Sequence, residues 1–579
     1  MTTVSSYAAH ESPRQPTSEG GLPPARSEPG KSIFYRLARA WFAIRWWLAE
    51  TVFAKPIPWV TANLELKLGD LLITLPVAAW FLAVNSWLAV NVQVAESGNP
   101  AQLVMLIVFA LTVRNNSILL SITGLPYERA LLYHKFFGAV AILVTGLHGL
   151  AYLREDAGIT SARRQRRQLA GTAKDESTTG TYTYEEPTFS KQFSGAIIFY
   201  MLLALYVLSL NPIRRRFFEF FLRTHVLLFL GIVVFSAIHG AGLVLVGAGI
   251  WAVDMVFRHA YVAPKYAKGS VSQRMGVLAR EQILLTKLPG EIVRIQFPKV
   301  RADNGERFQY EAGQYVFVCV PKLGYFEWHP FTISSSPHEA FVTIHVKALG
   351  DWTKRLMQQV AAVSSGSNVP VPAPFALLFD GPYGQVSLNI ANPKTYAHFA
   401  LFSGGIGLTP MQAITNQLHY EFQHECRHAL KKVRFVWSVR DRATIQALFS
   451  RDFVEFKKQQ QDQLQLSNPA PYLPDLLLSS ATNEPRDVFQ SELFLTKGTQ
   501  EAENPVDQAL QHCLRYNTRP RIREILQSLG EDAKAASKLR VAVLVCGPAA
   551  MVKDVVTQAM SLSREMKISF DVHTESFDF

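Results

Sequence analysis

Six apolar stretches crowd the first half of this 579-residue chain, near 71–92, 101–123, 130–153, 193–210, 220–239 and 241–257, whereas everything after Tyr266 alternates as water-soluble proteins do. Each approaches the ~17–25 residues a helix needs to cross a hydrocarbon core of ~30 Å. The expected architecture is therefore a six-helix transmembrane bundle followed by a soluble half. Two of the stretches carry matched histidines: His134 with His148, and His225 with His239, each pair fourteen positions apart. At ~1.5 Å and ~100° per helical residue, both rings of a pair fall on nearly one face, about 21 Å apart. Ionisable groups inside a membrane are costly and usually functional. Two such helices face to face would clamp two haems, His134 opposite His225 and His148 opposite His239, making an electron path across about two-thirds of the bilayer.

Residues 1–31 are rich in Ser, Pro, Gly and Glu and lack an apolar core, so they read as a disordered cytosolic tail and not as a cleaved signal. Residues 32–66 mix Phe, Trp and Leu with Arg36, Arg39, Arg45 and Glu50, a pattern suited to an interfacial amphipathic segment. Six spans place both chain ends on one side, and Arg214, Arg215 and Arg216 in a short loop mark that side as cytosolic. The loop from Arg154 to Gln192 then lies outside, although it holds Arg163, Arg164, Arg166 and Arg167. That cluster suits either a processing site or a cationic lip for anionic chelates. All four cysteines, Cys319, Cys426, Cys513 and Cys546, fall in the soluble half without metal-ligand spacing, as expected of thiols in a reducing compartment. The net charge of +12 is spread along the chain without aromatic interleaving, which argues against nucleic acid as a partner.

The soluble half divides in two. Residues 270–390 show short alternating runs broken by Gly and Pro (Ile292–Phe297, Tyr315–Val320, Phe341–Val346), as in an antiparallel β-barrel. Residues 391–579 switch to strand, glycine turn, helix and strand, an α/β nucleotide-binding pattern, with a low-complexity insertion expected at about 455–535. The turn reads Gly404-Gly405-Ile406-Gly407-Leu408-Thr409-Pro410. Backbone without Cβ can approach a pyrophosphate, Thr409 can cap the following helix, and Pro410 fits its first position. In the barrel, His329-Pro330-Phe331-Thr332-Ile333-Ser334-Ser335 sets a proline, an aromatic ring and hydroxyl donors at a strand end.

Together with Ile344 to Thr353, Gly381-Pro382-Tyr383-Gly384 and Cys546-Gly547-Pro548, these motifs resemble, in order, those of the transmembrane ferric-chelate reductase and NADPH oxidase family. The resemblance covers the chain from about Leu68 onward and implies a transmembrane haem domain at 67–262 and a cytosolic module similar to ferredoxin-NADP reductases. By that likeness His329, Pro330, Phe331, Thr332, Ser334 and Ser335 line FAD, with Lys347 and Thr353 near its pyrophosphate. Gly404, Gly405, Gly407, Thr409 and Pro410 would cradle the pyrophosphate of NADPH, Arg440 would meet its 2′-phosphate, and Cys546, Gly547 and Pro548 would sit beside the nicotinamide. The terminal Glu575-Ser576-Phe577-Asp578-Phe579 resembles the family's catalytic carboxylate and flavin-stacking aromatic, with Phe577 the candidate and Phe579 the alternative. Arg519 and Pro520 resemble a further nucleotide contact, and Arg114 and Arg223 are candidates for haem propionates.

The implied chemistry carries electrons from NADPH through FAD to two b-type haems and out to an acceptor on the opposite side. Fourteen-residue spacing in both pairs, and Tyr152 where oxidases tend to have a histidine, resemble the ferric reductase branch, which makes ferric chelates the expected acceptor. A superoxide- or hydrogen peroxide-generating oxidase is the alternative, and a non-catalytic haem sensor or scaffold a remote one. The expected setting is a multi-pass protein of the plasma membrane, with vacuolar or other endomembranes as alternatives. Iron-uptake or regulatory membrane proteins are the candidate partners, and the oligomeric state is left open.

Overall fold

The computed structural model describes residues 66–91, 94–113, 127–170, 189–257, 283–300, 307–325, 327–364, 370–384, 386–449 and 487–575, together with Ile57 and Val60. The amino-terminal tail, nearly all of the interfacial segment, Arg114, Phe577 and Phe579 lie outside the described residues.

The membrane half is built from α1 (Leu68–Asn91), α2 (Gly98–Ala110), α3 (Tyr127–Ala170), α4 (Phe189–Leu208), the short α5 (Asn211–Arg216), α6 (Phe218–His239) and α7 (Gly242–Val256). Four of these are long and apolar enough to cross a membrane, α1, α3, α4 and α6, while α2 and α7 are shorter apolar helices. Among the described residues, the expectation of six full spans is thus met by four helices of sufficient length. With 13 and 15 residues, α2 and α7 measure roughly 20 and 23 Å, short of a hydrocarbon core of ~30 Å. Phe81, Val104, Val144, Ile232 and Val244 fill the bundle interior, and Leu72, Trp80, Leu150, Leu227 and Val253 point outward as a lipid-facing surface would require.

A second departure is α3. The stretch from Arg154 has no apolar pattern and reads in the sequence as a loop, yet the helix runs on to Ala170. Extending an existing helix carries no nucleation cost, and residues 154–170 hold five Arg, three Ala and two Gln, all good helix formers, against the weaker run Gly158-Ile159-Thr160-Ser161.

At one end of the bundle the buried Asp70 binds α1 to α3, accepting from the Lys67 amide at 2.8 Å, from Arg129 at 2.9 Å and from the Tyr133 hydroxyl at 2.8 Å. Lys67 Nζ also donates to Ser387 Oγ at 3.4 Å. The soluble half therefore meets the end of the bundle nearest His134 and His225.

The first soluble domain pairs β1 (Leu284–Leu288), β2 (Ile292–Pro298), β5 (Phe341–Lys347) and β6 (Pro370–Pro372) in one antiparallel sheet, and β3 (Tyr315–Cys319), β4 (Trp328–Thr332) and β7 (Leu378–Tyr383) in another. An Ile333–Ile344 bridge joins the sheets into the expected barrel around Leu285, Ile295, Val318 and Phe379, closed at one end by α8 (Asp351–Val363).

The second is a parallel six-stranded sheet in the order β11-β10-β9-β8-β12-β13. Its strands are β8 (His398–Gly404), β9 (Lys432–Val439), β10 (Phe489–Leu495), β11 (Leu514–Tyr516), β12 (Arg540–Cys546) and β13 (Ser569–Glu575), with α9 (Leu408–His424), α10 (Arg442–Phe449), α11 (Pro505–Ala509), α12 (Ile522–Ala535) and α13 (Ala549–Met566) between them. This corrects the expected insertion. Residues 450–486 lie outside the described residues, but β10, β11 and α12 belong to the core, with Leu493, Leu495, Leu526 and Leu529 fully buried. Gln490, Ser491 and Glu492 hide β10 in the sequence, because a strand flanked by two parallel neighbours has its backbone paired whatever its side chains.

Candidate redox site

Running in the same direction, α3 and α6 bring the four histidines into two facing pairs. Ring centroids stand 6.2 Å apart for His134 and His225 and 6.4 Å apart for His148 and His239. An iron bonded to one nitrogen of each ring at ~2.0–2.1 Å, with those nitrogens about 1.2 Å from their centroids, would call for a separation of about 6.4–6.6 Å. Both pairs come within about 0.4 Å of that span.

The second nitrogens are equally informative. Val108 O accepts from His134 Nδ1 at 3.0 Å, and Lys191 O accepts from His239 Nδ1 at 2.9 Å. The Ser97 hydroxyl gives its proton to Val94 O at 2.6 Å, so its oxygen, 2.7 Å from His148 Nδ1, acts as acceptor. Carbonyl and hydroxyl oxygens thus fix Nδ1–H in three of the four rings and leave Nε2 with a free lone pair, the form an iron needs. His225 Nδ1 is buried with no hydrogen-bond partner among the described residues. The residues present fit bis-histidine haem. Arg223, a candidate for propionates, is exposed and lies 3.8 Å from Glu219 one turn away.

Of the expected flavin residues, His329, Pro330 and Phe331 form a half-exposed edge of β4. Trp352, unassigned in the sequence, supports this edge, with its ring 4.3 Å from His329 and 6.0 Å from Phe331. Burial, then the Arg355 charge, holds His329 down at about 4, so the ring is neutral. Thr332 is buried beside it.

Ser334 and Ser335 depart from the expectation that their hydroxyls meet the flavin. Ser334 Oγ donates to Thr343 O at 2.9 Å and contacts His345 Nδ1 at 2.7 Å, while Ser335 Oγ accepts from the Thr343 amide and contacts the Tyr310 hydroxyl at 2.9 Å. They pin β4 to β5. Thr353 accepts from the amides of Leu349 and Gly350 at the start of α8, and Lys347 Nζ reaches Thr444 Oγ1 at 3.2 Å and Asp441 at 3.7 Å. These two side chains are engaged in a helix start and a bridge between domains.

The nucleotide residues converge at the carboxyl end of β8, where strand order reverses between β9 and β12, the place where open α/β sheets bind ligands. A β-carbon on Gly407 would lie 2.4 Å from Cys546 O, and one on Gly404 would lie 2.4 Å from Pro548 and 3.1 Å from Gly547. The glycine turn and the Cys546-Gly547-Pro548 turn therefore abut with no room for side chains. Trp437 Nε1 donates to Gly405 O at 2.9 Å and holds the turn from below. One local expectation fails: Gly407, not Thr409, occupies the position before α9, and Thr409 donates back to Ile406 O at 3.2 Å with Pro410 one residue further in. Helix starts read from sequence shift this easily.

Arg440 follows β9 and is exposed. Its acidic neighbour Asp441 turns away to accept from the Thr444 amide and hydroxyl, each at 2.8 Å, and Arg442 is bound by Asp507 and Glu501. Of these three charges, only that of Arg440 has no ion pair among the described residues. Arg519 is exposed beyond β11.

Cys546 and Glu575 are cross-strand neighbours at the ends of β12 and β13. Burial, then the Glu575 charge, pushes the Cys546 thiol far above its ordinary range, so the sulfur keeps its proton. Because the Ser387 amide donates to His573 Nδ1 at 3.2 Å, His573 Nε2 carries the hydrogen that meets Glu575 at 3.0 Å.

Comparison with known proteins agrees with this layout. Residues 97–236 match a ferric reductase-like transmembrane component, 277–387 an FAD-binding domain and 396–560 a ferric reductase NAD-binding domain. Human dual oxidase 1 is 25% identical over 461 residues, covering 78% of this chain and 28% of that protein. A superoxide-generating NADPH oxidase heavy chain of Dictyostelium discoideum is 26% identical over 335 residues, 55% of this chain and 60% of its own. Mouse NADPH oxidase 1 is 25% identical over 368 residues, 55% and 59% respectively. The chain thus spans less than two-thirds of the length of each of these relatives, and under a third of the dual oxidase. A ferredoxin NADP+ reductase from Neisseria gonorrhoeae covers 51% of the chain at 14% identity, with a TM-score of 0.30, too low to argue from. The three domains in this order place the chain in the transmembrane ferric reductase and NADPH oxidase family, an oxidoreductase family whose cofactors are FAD, NADPH and haem b.

Proposed function

We propose that this member of the family carries electrons from NADPH across a membrane and delivers them to dioxygen on the far side. The observation that carries the transmembrane path is the pair of histidine separations, 6.2 and 6.4 Å, stacked along α3 and α6. Bound FAD and haem supply the conversion of a hydride into single electrons. The chain's own residues do the rest. Gly404, Gly405 and Gly407 leave backbone open to a pyrophosphate, and Arg440 offers an exposed cation for a 2′-phosphate. His329 and Phe331 present a firm edge for the flavin, backed by Trp352. The neutral Cys546 thiol and Glu575, oriented by His573, line the end of the sheet where the nicotinamide would lie. His134 and His225 hold the haem nearer the dehydrogenase, and His148 and His239 the farther one.

Dioxygen is favoured as acceptor by the relatives, which are dual oxidases and NADPH oxidases. One NADPH would then reduce two dioxygen molecules to superoxide and release NADP+ and one proton. Ferric chelates, the acceptor expected from the equal spacing, are the second reading. Tyr152, whose ring stands 5.2 Å from His148, keeps it in view by filling the place where oxidases tend to have a histidine. With His148 and His239 both holding an iron, no position would be left for an acceptor to bind, so these ligands would not choose between dioxygen and a ferric chelate. The test is a ratio, measured on membranes with NADPH and saturating ferric chelate in aerated buffer. The oxidase reading expects superoxide dismutase to remove most ferrous capture and dye reduction alike. Iron reduction that persists unchanged with dismutase would replace it with the ferric reading.

A further inference from the structure

The two histidines of the outer pair are held by the same dipeptide. Ser97 Oγ lies 2.7 Å from His148 Nδ1, and a β-carbon on Gly98 would meet His148 Cε1 at 3.2 Å. On the opposite helix pair, Ser194 Oγ lies 3.4 Å from His239 Nδ1, and a β-carbon on Gly195 would meet His239 Cε1 at 2.8 Å. Each serine is buried, and each gives its proton to the carbonyl three residues earlier, Val94 O or Lys191 O, so each hydroxyl oxygen is turned to its histidine as acceptor; for His148 it is the close one, whereas His239 Nδ1 meets Lys191 O at 2.9 Å with the Ser194 oxygen as a longer second acceptor. Behind Ser97, Asn85 Nδ2 donates to the Ser97 carbonyl at 2.6 Å and fixes the dipeptide. Among the described residues the inner pair has no such dipeptide: His134 meets one carbonyl, as His239 also does, and His225 Nδ1 has no hydrogen-bond partner.

We propose that Ser97-Gly98 and Ser194-Gly195 are matched positioning elements that set the outer haem at a lower midpoint potential than the inner one. The proposal rests on reading His148 and His239 as haem ligands. An acceptor on Nδ1–H makes Nε2 more basic and favours the more highly charged ferric iron. Both outer rings have such acceptors and only one inner ring does, so the outer site is the stronger reductant. Glycine at the following position lets the backbone lie against the ring edge, which fixes the plane of the imidazole as well as its tautomer.

The test is potentiometric titration of haem absorbance in the full-length protein reconstituted in lipid, with low-spin ferric EPR signals read in parallel. Two waves are expected. Ser97→Ala should raise the lower one by up to a tenfold change in the ferrous-to-ferric ratio, ~59 mV for one electron, and alter one of the two EPR signals. Ser97→Thr keeps the hydroxyl and should restore both. Ser236→Ala, which removes a buried hydroxyl that bonds to nothing on a neighbouring turn, should move neither wave. Unchanged potentials in a Ser97→Ala, Ser194→Ala double variant that retains both haems would overturn the proposal and leave the ligands standing. If Ser97→Ala loses a haem, equal loss in Ser97→Thr overturns it too. Two intact haems in His148→Ala would instead remove the ligand reading on which it rests.

Discussion

The Gly407 backbone lies against the Cys546 carbonyl so closely that a β-carbon would stand 2.4 Å from that oxygen. This contact joins the two turns that flank the proposed nicotinamide site, and it is backbone against backbone, with no flexible side chain to yield. Gly407→Ala should therefore push the turns apart, costing about 1–3 kcal/mol of stability and most of the NADPH-dependent flavin reduction. Haem content should stay normal. Steady-state flavin reduction at wild-type rate in the variant would show that the turns need not touch.

The two architectures are legible in the sequence because their periodicities are strong. Matched histidines in apolar stretches specify facing helices, and the glycine turn after the apolar run Phe399-Ala400-Leu401-Phe402 specifies an α/β switch point. Motifs locate the nucleotide residues well, but not which of their atoms are free. Ser334, Ser335 and Thr353 read as ligand donors because hydroxyls in a row look available, whereas each is held by neighbouring backbone through local bonds invisible in a string of letters. Ser97 and Ser194 escape notice for the opposite reason. Their partners lie 51 and 45 residues away, and the sequence signal is only a Ser-Gly dipeptide, once at the start of α2 and once inside α4. The core strand β10 is hidden by its three consecutive polar residues.

Acid sensitivity should concentrate in the barrel. Burial, then the neighbouring Arg294 guanidinium, pulls His345 down to about 3. An unfolded histidine takes up its proton near pH 6.5, so between pH 6.5 and about 3 the unfolded state binds a proton that the folded state refuses. Stability from this group is fully present above pH 6.5 and is lost as pH falls through that window. His345→Gln keeps a partner for Ser334 and does not titrate. Its melting temperature should fall less than that of the wild type between pH 7.5 and pH 5, and an identical acid slope would remove His345 as the cause.

Each outer ligand should be separable from the dehydrogenase chemistry. His148→Ala and His239→Ala are expected to lose one haem relative to flavin and to abolish transmembrane electron flow, while NADPH still reduces FAD at close to the wild-type rate. The pyridine haemochrome-to-flavin ratio measures the first effect and anaerobic flavin bleaching the second. Loss of flavin reduction in either variant would mean that the membrane helices also hold the dehydrogenase in its active form.

The nucleotide preference turns on three consecutive charges. Sequence alone sets Asp441 beside Arg440 and so weakens the case for a 2′-phosphate, since a carboxylate there would repel it. The geometry resolves the conflict: Asp441 is committed to the Thr444 amide and hydroxyl and lies 3.7 Å from Lys347, and Arg442 is neutralised by Asp507 and Glu501. Arg440 is left exposed. Removing a charge-assisted phosphate contact costs about 1.5–3 kcal/mol, so Arg440→Ala should lower kcat/KM for NADPH roughly 10- to 100-fold and that for NADH hardly at all. Asp441→Ala should do the reverse kind of damage, losing about 1 kcal/mol of stability with the helix cap and leaving the ratio of the two nucleotides nearly unchanged. Equal losses with both nucleotides in Arg440→Ala would show that this guanidinium does not read the 2′-phosphate, and a marked gain in NADPH preference in Asp441→Ala would show that its charge reaches the nucleotide after all.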